Sequence, residues 1–291
     1  MIGGFSSVHP GVAALYFAGA LMLTVWMSHP VYLATLLACM LLWNFLLDCG
    51  EGLKKNGRGI LFLALMIMVL NPLFSSRGAT ILGYFRNRPV TWESFLYGIT
   101  FALMLATMLI TFQAYQRVVT VDKFLYLTSS YLPRTAFVIV MVMRLIPLMR
   151  KRLGDLSGVS KTLGRFQGVS RRQRIREWME QISALLVWTL EESLHTATSM
   201  RSRGYGSGPR STYQSYKIDQ RDCWLTGMLL IGGIGVFAGG FQGLGRMEFF
   251  PVLAGLPFDP LHYTLYFLWI SLPVLMDAGE VILWRRIKSR M

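Results

Sequence analysis

The sequence predicts an all-α polytopic membrane protein, with about six transmembrane helices and long cytoplasmic helices set between the fourth and fifth. Three observations predict it. The 291 residues are 53% hydrophobic and only 15% charged, against roughly 25% charged in a soluble domain. The apolar residues are clustered: no Asp, Glu, Lys or Arg precedes Asp48, and long apolar runs recur at both ends of the chain. The net charge of +14 is gathered rather than spread, with 18 of the 29 Lys and Arg between residues 114 and 222, against eight Asp and Glu there.

A span needs about 20 apolar residues, and six stretches qualify, at about 11–27, 31–47, 59–74, 92–113, 223–242 and 262–284. The first two are separated only by Ser28, His29 and Pro30, which predicts a tight helical hairpin, and the third is short. Three regions follow: N-terminal transmembrane helices (1–113), a cytoplasmic helical region (114–222) and C-terminal transmembrane helices (223–291).

Loop charge predicts the orientation. With the N-terminus cytoplasmic, the inside segments are 48–58, 114–222 and the tail, which together hold 25 of the 29 basic residues. Only Arg77, Arg86, Arg88 and Arg246 then lie outside. Both termini are thus expected on the cytoplasmic side of an inner (plasma) membrane, as positive charge is retained there. The same rule accounts for the basic excess without nucleic acid as a partner; the bilayer is the partner that composition requires. The N-terminus lacks a basic stretch and cleavage site of the signal-peptide kind, so the first apolar segment is expected to stay as a span. Cys39, Cys49 and Cys223 are far apart, which argues against a disulfide framework or a metal site.

The 114–222 segment alternates apolar and basic stretches. Residues 120–132 read as a short helix stopping before Pro133. In 134–163, Leu145, Met149, Leu153, Leu156, Val159 and Leu163 recur every three or four residues, one stripe of an amphipathic helix. A basic link at 165–176 leads to a second amphipathic helix over 177–203, with Ile182, Leu185, Leu186, Leu190, Leu194 and Ala197 on one side. Arg201 and Arg203 in its last turn suit the helix dipole, and Gly204, Gly206, Gly208 and Pro209 end it. Two half-apolar helices of this kind must pack on each other, on the spans and on something else.

Catalytic chemistry finds little support. Glu191 and His195 stand at i, i+4 without a third ligand and read as a surface pair. No phosphate loop of the G-x-x-x-x-G-K-[ST] type is present, and no span shows a paired internal charge of the ion-coupled kind. No enzyme, cofactor or metal site is expected. Glycines at 232, 233, 235, 239, 240 and 243 give two G-x-x-x-G spacings, a close helix-packing interface. Arg144 sits in an apolar stretch beside Pro147, and both read as structural, Pro147 bending the helix where it leaves the membrane.

Several spaced motifs agree in order with one family. They are His9-Pro10, the run from Leu132-Pro133-Arg134 through Arg144-Leu145-Ile146-Pro147, Glu191-Glu192, and Met200-Arg201-Ser202-Arg203-Gly204-Tyr205-Gly206. Arg210-Ser211-Thr212 and Asp222-Cys223-Trp224 follow. Over nearly its whole length the chain resembles the transmembrane T component of energy-coupling factor (ECF) transporters, importers of vitamins and of cobalt or nickel.

The resemblance implies that the two long helices are coupling helices, each ending in a signature whose arginine enters a groove of one of two cytoplasmic ABC ATPase subunits. It also implies a small substrate-binding membrane (S) subunit as partner. Arg203 matches the second signature, flanked by Arg201, Ser202 and Gly204. The first falls at Lys161-Thr162-Leu163-Gly164, with leucine in the arginine's place; Lys161 or Arg165 is left to supply the charge. The rival reading is a conventional ABC permease subunit lining its own pathway.

Overall fold

The computed structural model describes residues 4–48, 50–75, 78–85, 88–164, 170–208, 216, 218–250 and 259–288. The described chain is all-α but for one hairpin, with helices α1 (Pro10–Trp26), α2 (Pro30–Asp48), α3 (Glu51–Phe74), α4 (Trp92–Val118), α5 (Val121–Tyr131), α6 (Pro133–Thr162), α7 (Arg171–Ser202), α8 (Gln220–Phe241) and α9 (Pro260–Lys288). Five of them, α2, α3, α4, α8 and α9, are long and apolar enough to cross a membrane, while α1 is apolar but shorter. This is a polytopic membrane protein. The chain forms two compact units: residues 1–124 with 216–291, and residues 125–215.

In the first unit, α2 packs on α4 and α9, α1 on α4 and α8, and α8 on α9, while α3 lies mainly against α4. Only 6% of the apolar window of α3 is buried, so this helix presents most of its surface outward. The core is aromatic. Tyr16 stacks on Trp269 with ring centroids 5.1 Å apart, and Phe17 stacks on Trp43 at 5.3 Å. Three of the polar heads reach a neighbouring helix backbone: Tyr16 Oη donates to Ile270 O, Tyr266 Oη to Tyr32 O and Trp269 Nε1 to Leu229 O. These three aromatics contribute large apolar area while their donors stay hydrogen-bonded.

The glycines of α8 permit this packing. A Cβ at Gly232 would lie 2.9 Å from the Trp269 ring, and one at Gly240 would lie 2.7 Å from Trp26 Nε1. The α1–α2 turn is fastened to the segment after α8, where His29 N donates to Gly245 O and the Arg246 guanidinium lies 4.4 Å from the Trp26 ring centroid.

Two boundaries and one element differ from the sequence expectation. Helix α3 begins at Glu51, so Lys54, Lys55 and Arg58 lie in its first turns rather than in a loop. Helix α7 begins at Arg171, because Ser170 and Gln173 form a reciprocal capping box; residues 171–176, half of the expected basic link at 165–176, are therefore helix. Between α3 and α4 stands an unforeseen antiparallel pair, β1 (Ile81–Phe85) and β2 (Arg88–Thr91). It is tied to α4 by Glu93, whose carboxylate accepts from Thr80 N at 3.1 Å and Thr80 Oγ1 at 2.8 Å.

The last span also holds charge that the sequence reading passed over. Asp277 on α9 is buried; its Oδ1 accepts from Phe5 N at 2.6 Å and its Oδ2 from Trp43 Nε1 at 2.7 Å. Glu280 on α9 faces Arg221 on α8 at 4.0 Å. The carboxylate of Asp277 anchors the 3-10 turn Phe5–Ser7 beneath the core. Lys123 fastens the same turn from α5, donating to Ser6 O at 2.5 Å and Val118 O at 2.9 Å.

Candidate functional site

The second unit is built on α6 and α7. Pro133 occupies the first turn of α6, where its missing N–H costs nothing. Pro147 stands inside α6 without ending it, and Arg144 is exposed, bordering a groove between the two helices.

Four contacts fix how α6 and α7 pair. Phe137 stacks on Tyr205 with centroids 5.1 Å apart. Thr189 Oγ1 lies 3.1 Å from Met149 Sδ, and Arg152 Nη2 lies 3.0 Å from Glu192 Oε2. Gln181 Nε2 donates to Ser160 Oγ at 3.0 Å. From Phe137 through Met149 to Ser160 along α6, the partners run back from Tyr205 through Thr189 to Gln181, so the pair is an antiparallel hairpin.

The seam is mixed rather than leucine-rich. Besides the four contacts it contains the Arg152 guanidinium over the Trp188 ring, 5.1 Å from its centroid. The most apolar line of α7 faces away from α6: Met179, Ile182, Leu186, Leu190 and Leu194 are 44–69% exposed. Of the apolar stripe expected on α7, only Leu185 is half-buried, at a small cleft it shares with Leu145, Met149 and Leu153. A second groove of about 280 Å³ opens between Phe137, Met141 and Leu145 on one side and Ser193, Ala197 and Met200 on the other.

The two helix ends have one architecture. At the end of α6, Leu163 caps with φ −76° and ψ 1°, its N–H donating to Val159 O, and Gly164 follows at φ +70° with its N–H donating to Lys161 O. At the end of α7, Arg203 caps with φ −83° and ψ 7°, its N–H donating to Ser199 O, and Gly204 follows at φ +78° with its N–H donating to Arg201 O. The preceding hydroxyls match as well: Thr162 Oγ1 donates to Val159 O at 2.8 Å and Ser202 Oγ to Ser199 O at 2.9 Å. A left-handed residue after the cap is what glycine supplies.

Lys161, Thr162, Leu163, Gly164, Arg201, Ser202, Arg203 and Gly204 are all exposed, so no expected docking residue is consumed by the fold. The antiparallel pairing separates the two groups. Arg203 lies near the level of residue 139, so Leu163 stands about 24 residues along the hairpin, roughly 36 Å at 1.5 Å per residue.

Arg165 and Arg210-Ser211-Thr212 fall outside the described residues. Other motif positions have local structural work. His9 Nδ1 accepts from Gly11 N ahead of Pro10, and Asp222 accepts from Asp219 N at the start of α8. Glu191 and His195 lie 3.9 Å apart on the exposed side of α7. Among the described residues no group of three or more His, Cys, Asp or Glu could hold a metal.

No family model matches the chain, and no curated protein matches it by sequence.

Proposed function

We propose that this chain is the transmembrane coupling (T) subunit of an energy-coupling factor ABC-type importer. In this reading it sits in the inner (plasma) membrane with both termini cytoplasmic and performs no catalysis itself. Two cytoplasmic ABC ATPases hold the ends of the α6–α7 hairpin, and a small substrate-binding membrane subunit responds to their motion. The cargo class implied by the resemblance is a vitamin or a transition metal such as cobalt or nickel.

One observation carries the reading. Two helix ends of the same build, both exposed, stand at opposite ends of one antiparallel hairpin. Such an element takes a displacement at its tips and delivers it along its length. A guanidinium at Arg203 offers a planar fork for carboxylates that a lysine does not reproduce. The outward line from Met179 to Leu194 is the surface left for the membrane partner, since large exposed apolar patches mark interaction sites.

A permease lining its own pathway is less well supported. The centre of the membrane unit, where α1, α2 and α9 meet, is filled by Tyr16, Phe17, Trp43, Tyr266 and Trp269, which leaves no passage there.

The test is Arg203→Glu. The variant should insert and fold as the wild type, because Arg203 is exposed, yet lose its ATPases on detergent purification. Undiminished co-purification would refute the docking role of Arg203.

A further inference from the structure

We infer that the outward face of α3 binds an anionic phospholipid, with Lys54, Lys55 and Arg58 holding the headgroup phosphate and the apolar stripe beyond them receiving an acyl chain. Lipid binding here requires only that α3 spans the membrane, and it is independent of the coupling role.

Helix α3 turns one side to the membrane unit and the other away from it. At its start Gly52 is buried, and an added Cβ there would run into the Arg117 guanidinium of α4. Farther along, a Cβ at Gly98 of α4 would lie 3.1 Å from Met68 O. The opposite side of α3 carries Lys54, Lys55 and Arg58 and, beyond them, Leu61, Phe62, Leu65 and Val69. At 3.6 residues per turn all seven fall within an arc of about 120°. The three cations are exposed, and the four apolar residues are 52–70% exposed.

Charge and length both fit a phospholipid. Cations at the end of a span reach the headgroup region, and the apolar surface beyond them meets acyl chains. From Arg58 to Val69 the helix rises about 16 Å at 1.5 Å per residue, close to the ~15 Å hydrocarbon depth of one leaflet. Arg117, in the last turn of α4, marks the same level as the start of α3. Glu51, in the first turn, suits the positive end of the helix dipole and offsets one of the three cations. The remaining excess selects an anionic headgroup over a zwitterionic one, since each basic residue near an anionic membrane surface contributes about five-fold in affinity.

A partner helix is a poorer occupant of the stripe. Membrane helices pair through small residues that let their backbones approach. The stripe carries Leu, Phe, Leu and Val instead, and Gly57 and Gly59 lie to either side of it.

The experiment uses the full-length chain, purified from its native membrane with the partners it retains. It is reconstituted into vesicles of phosphatidylcholine holding a trace of phospholipid with a diazirine in its acyl chain, either phosphatidylglycerol or phosphatidylcholine. After photolysis the linked residues of α3 are mapped and counted. The expected result is links at Leu61, Phe62, Leu65 and Val69, at least about ten-fold more from phosphatidylglycerol than from phosphatidylcholine. Lys54→Gln with Lys55→Gln and Arg58→Gln should bring that ratio to within about two-fold, whereas Lys54→Arg with Lys55→Arg and Arg58→Lys should keep it. Arg171→Gln with Arg172→Gln and Arg174→Gln, on α7, should leave the α3 links within about two-fold of wild type. Both leaflets hold the probe, so neither result depends on the orientation of the chain. Equal linking by the two lipids in the wild type would overturn the inference, as would an equal loss when α7 is neutralised. Links absent from the stripe would also overturn it, because a protein partner would then cover α3.

Discussion

Removal of the Asp277 carboxylate isolates the contribution of the N-terminal anchor. In the folded protein Asp277 accepts from Phe5 N and Trp43 Nε1, at 2.6 and 2.7 Å, and is 3% exposed. Asp277→Leu replaces the carboxylate by an apolar side chain and leaves two buried donors without acceptors, at about 1–3 kcal/mol each, so the expected loss is about 2–6 kcal/mol. Asp277→Asn retains one carbonyl and turns its amide toward the other donor, with an expected loss of about 1–3 kcal/mol. Adding Trp43→Phe to Asp277→Leu removes one orphaned donor and should return part of the loss, because deleting both partners of a buried hydrogen bond is close to neutral. Unfolding in mixed micelles, followed by tryptophan fluorescence, measures the series. An Asp277→Leu protein within about 0.5 kcal/mol of wild type, or a double variant no better than Asp277→Leu, would refute the anchoring role.

Further variants probe the packing and the hairpin. Gly240→Val should disrupt α1–α8 packing, since even a Cβ there would lie 2.7 Å from Trp26 Nε1, while Gly227→Ala should be silent, with nothing within 4 Å; unfolding midpoints separate the two. Arg152→Met should cost no more than about 1 kcal/mol in the same assay, because the ion pair to Glu192 is 26% and 39% exposed and screened by solvent. Burial holds the Lys123 amine below its ordinary 10.5. The unfolded chain therefore binds the extra proton between that lowered value and 10.5, and stability rises with pH across this alkaline window. Midpoints measured at mildly and strongly alkaline pH should show that rise diminished in Lys123→Met.

Much of the architecture was legible because membrane spans and long helices leave strong signals. The α1–α2 hairpin followed from Ser28-His29-Pro30 between two apolar runs, α5 stopped before Pro133, and α6 lay within one residue of its expected ends. Misplaced boundaries came from charge read as loop. Lys54, Lys55 and Arg58 entered α3, and Arg171–Arg176 entered α7 although the Ser170–Gln173 capping box stood in the sequence.

The sites were harder to read for a different reason. Periodicity identified an apolar stripe on α7 but not what it faces, and Leu186, Leu190 and Leu194 turn outward from the hairpin. In the sequence Asp277 is a single acidic residue near the end of a span. Its role depends on Phe5, 272 residues away, and on Trp43, 234 residues away, which no local pattern encodes. The likeness of the two tips was half visible: Gly164 and Gly204 were in the sequence, but the matching hydroxyl bonds and caps required coordinates.

The central claim is that the α6–α7 hairpin is held by ATPases. The most direct measurement is the ATPase activity bound to the chain after purification from its native membrane, comparing wild type with Arg203→Glu at equal amounts of inserted chain. The account predicts ATP hydrolysis in the wild-type preparation and its loss in the variant. Wild-type preparations free of ATPase, or a variant that retains full activity, would contradict it.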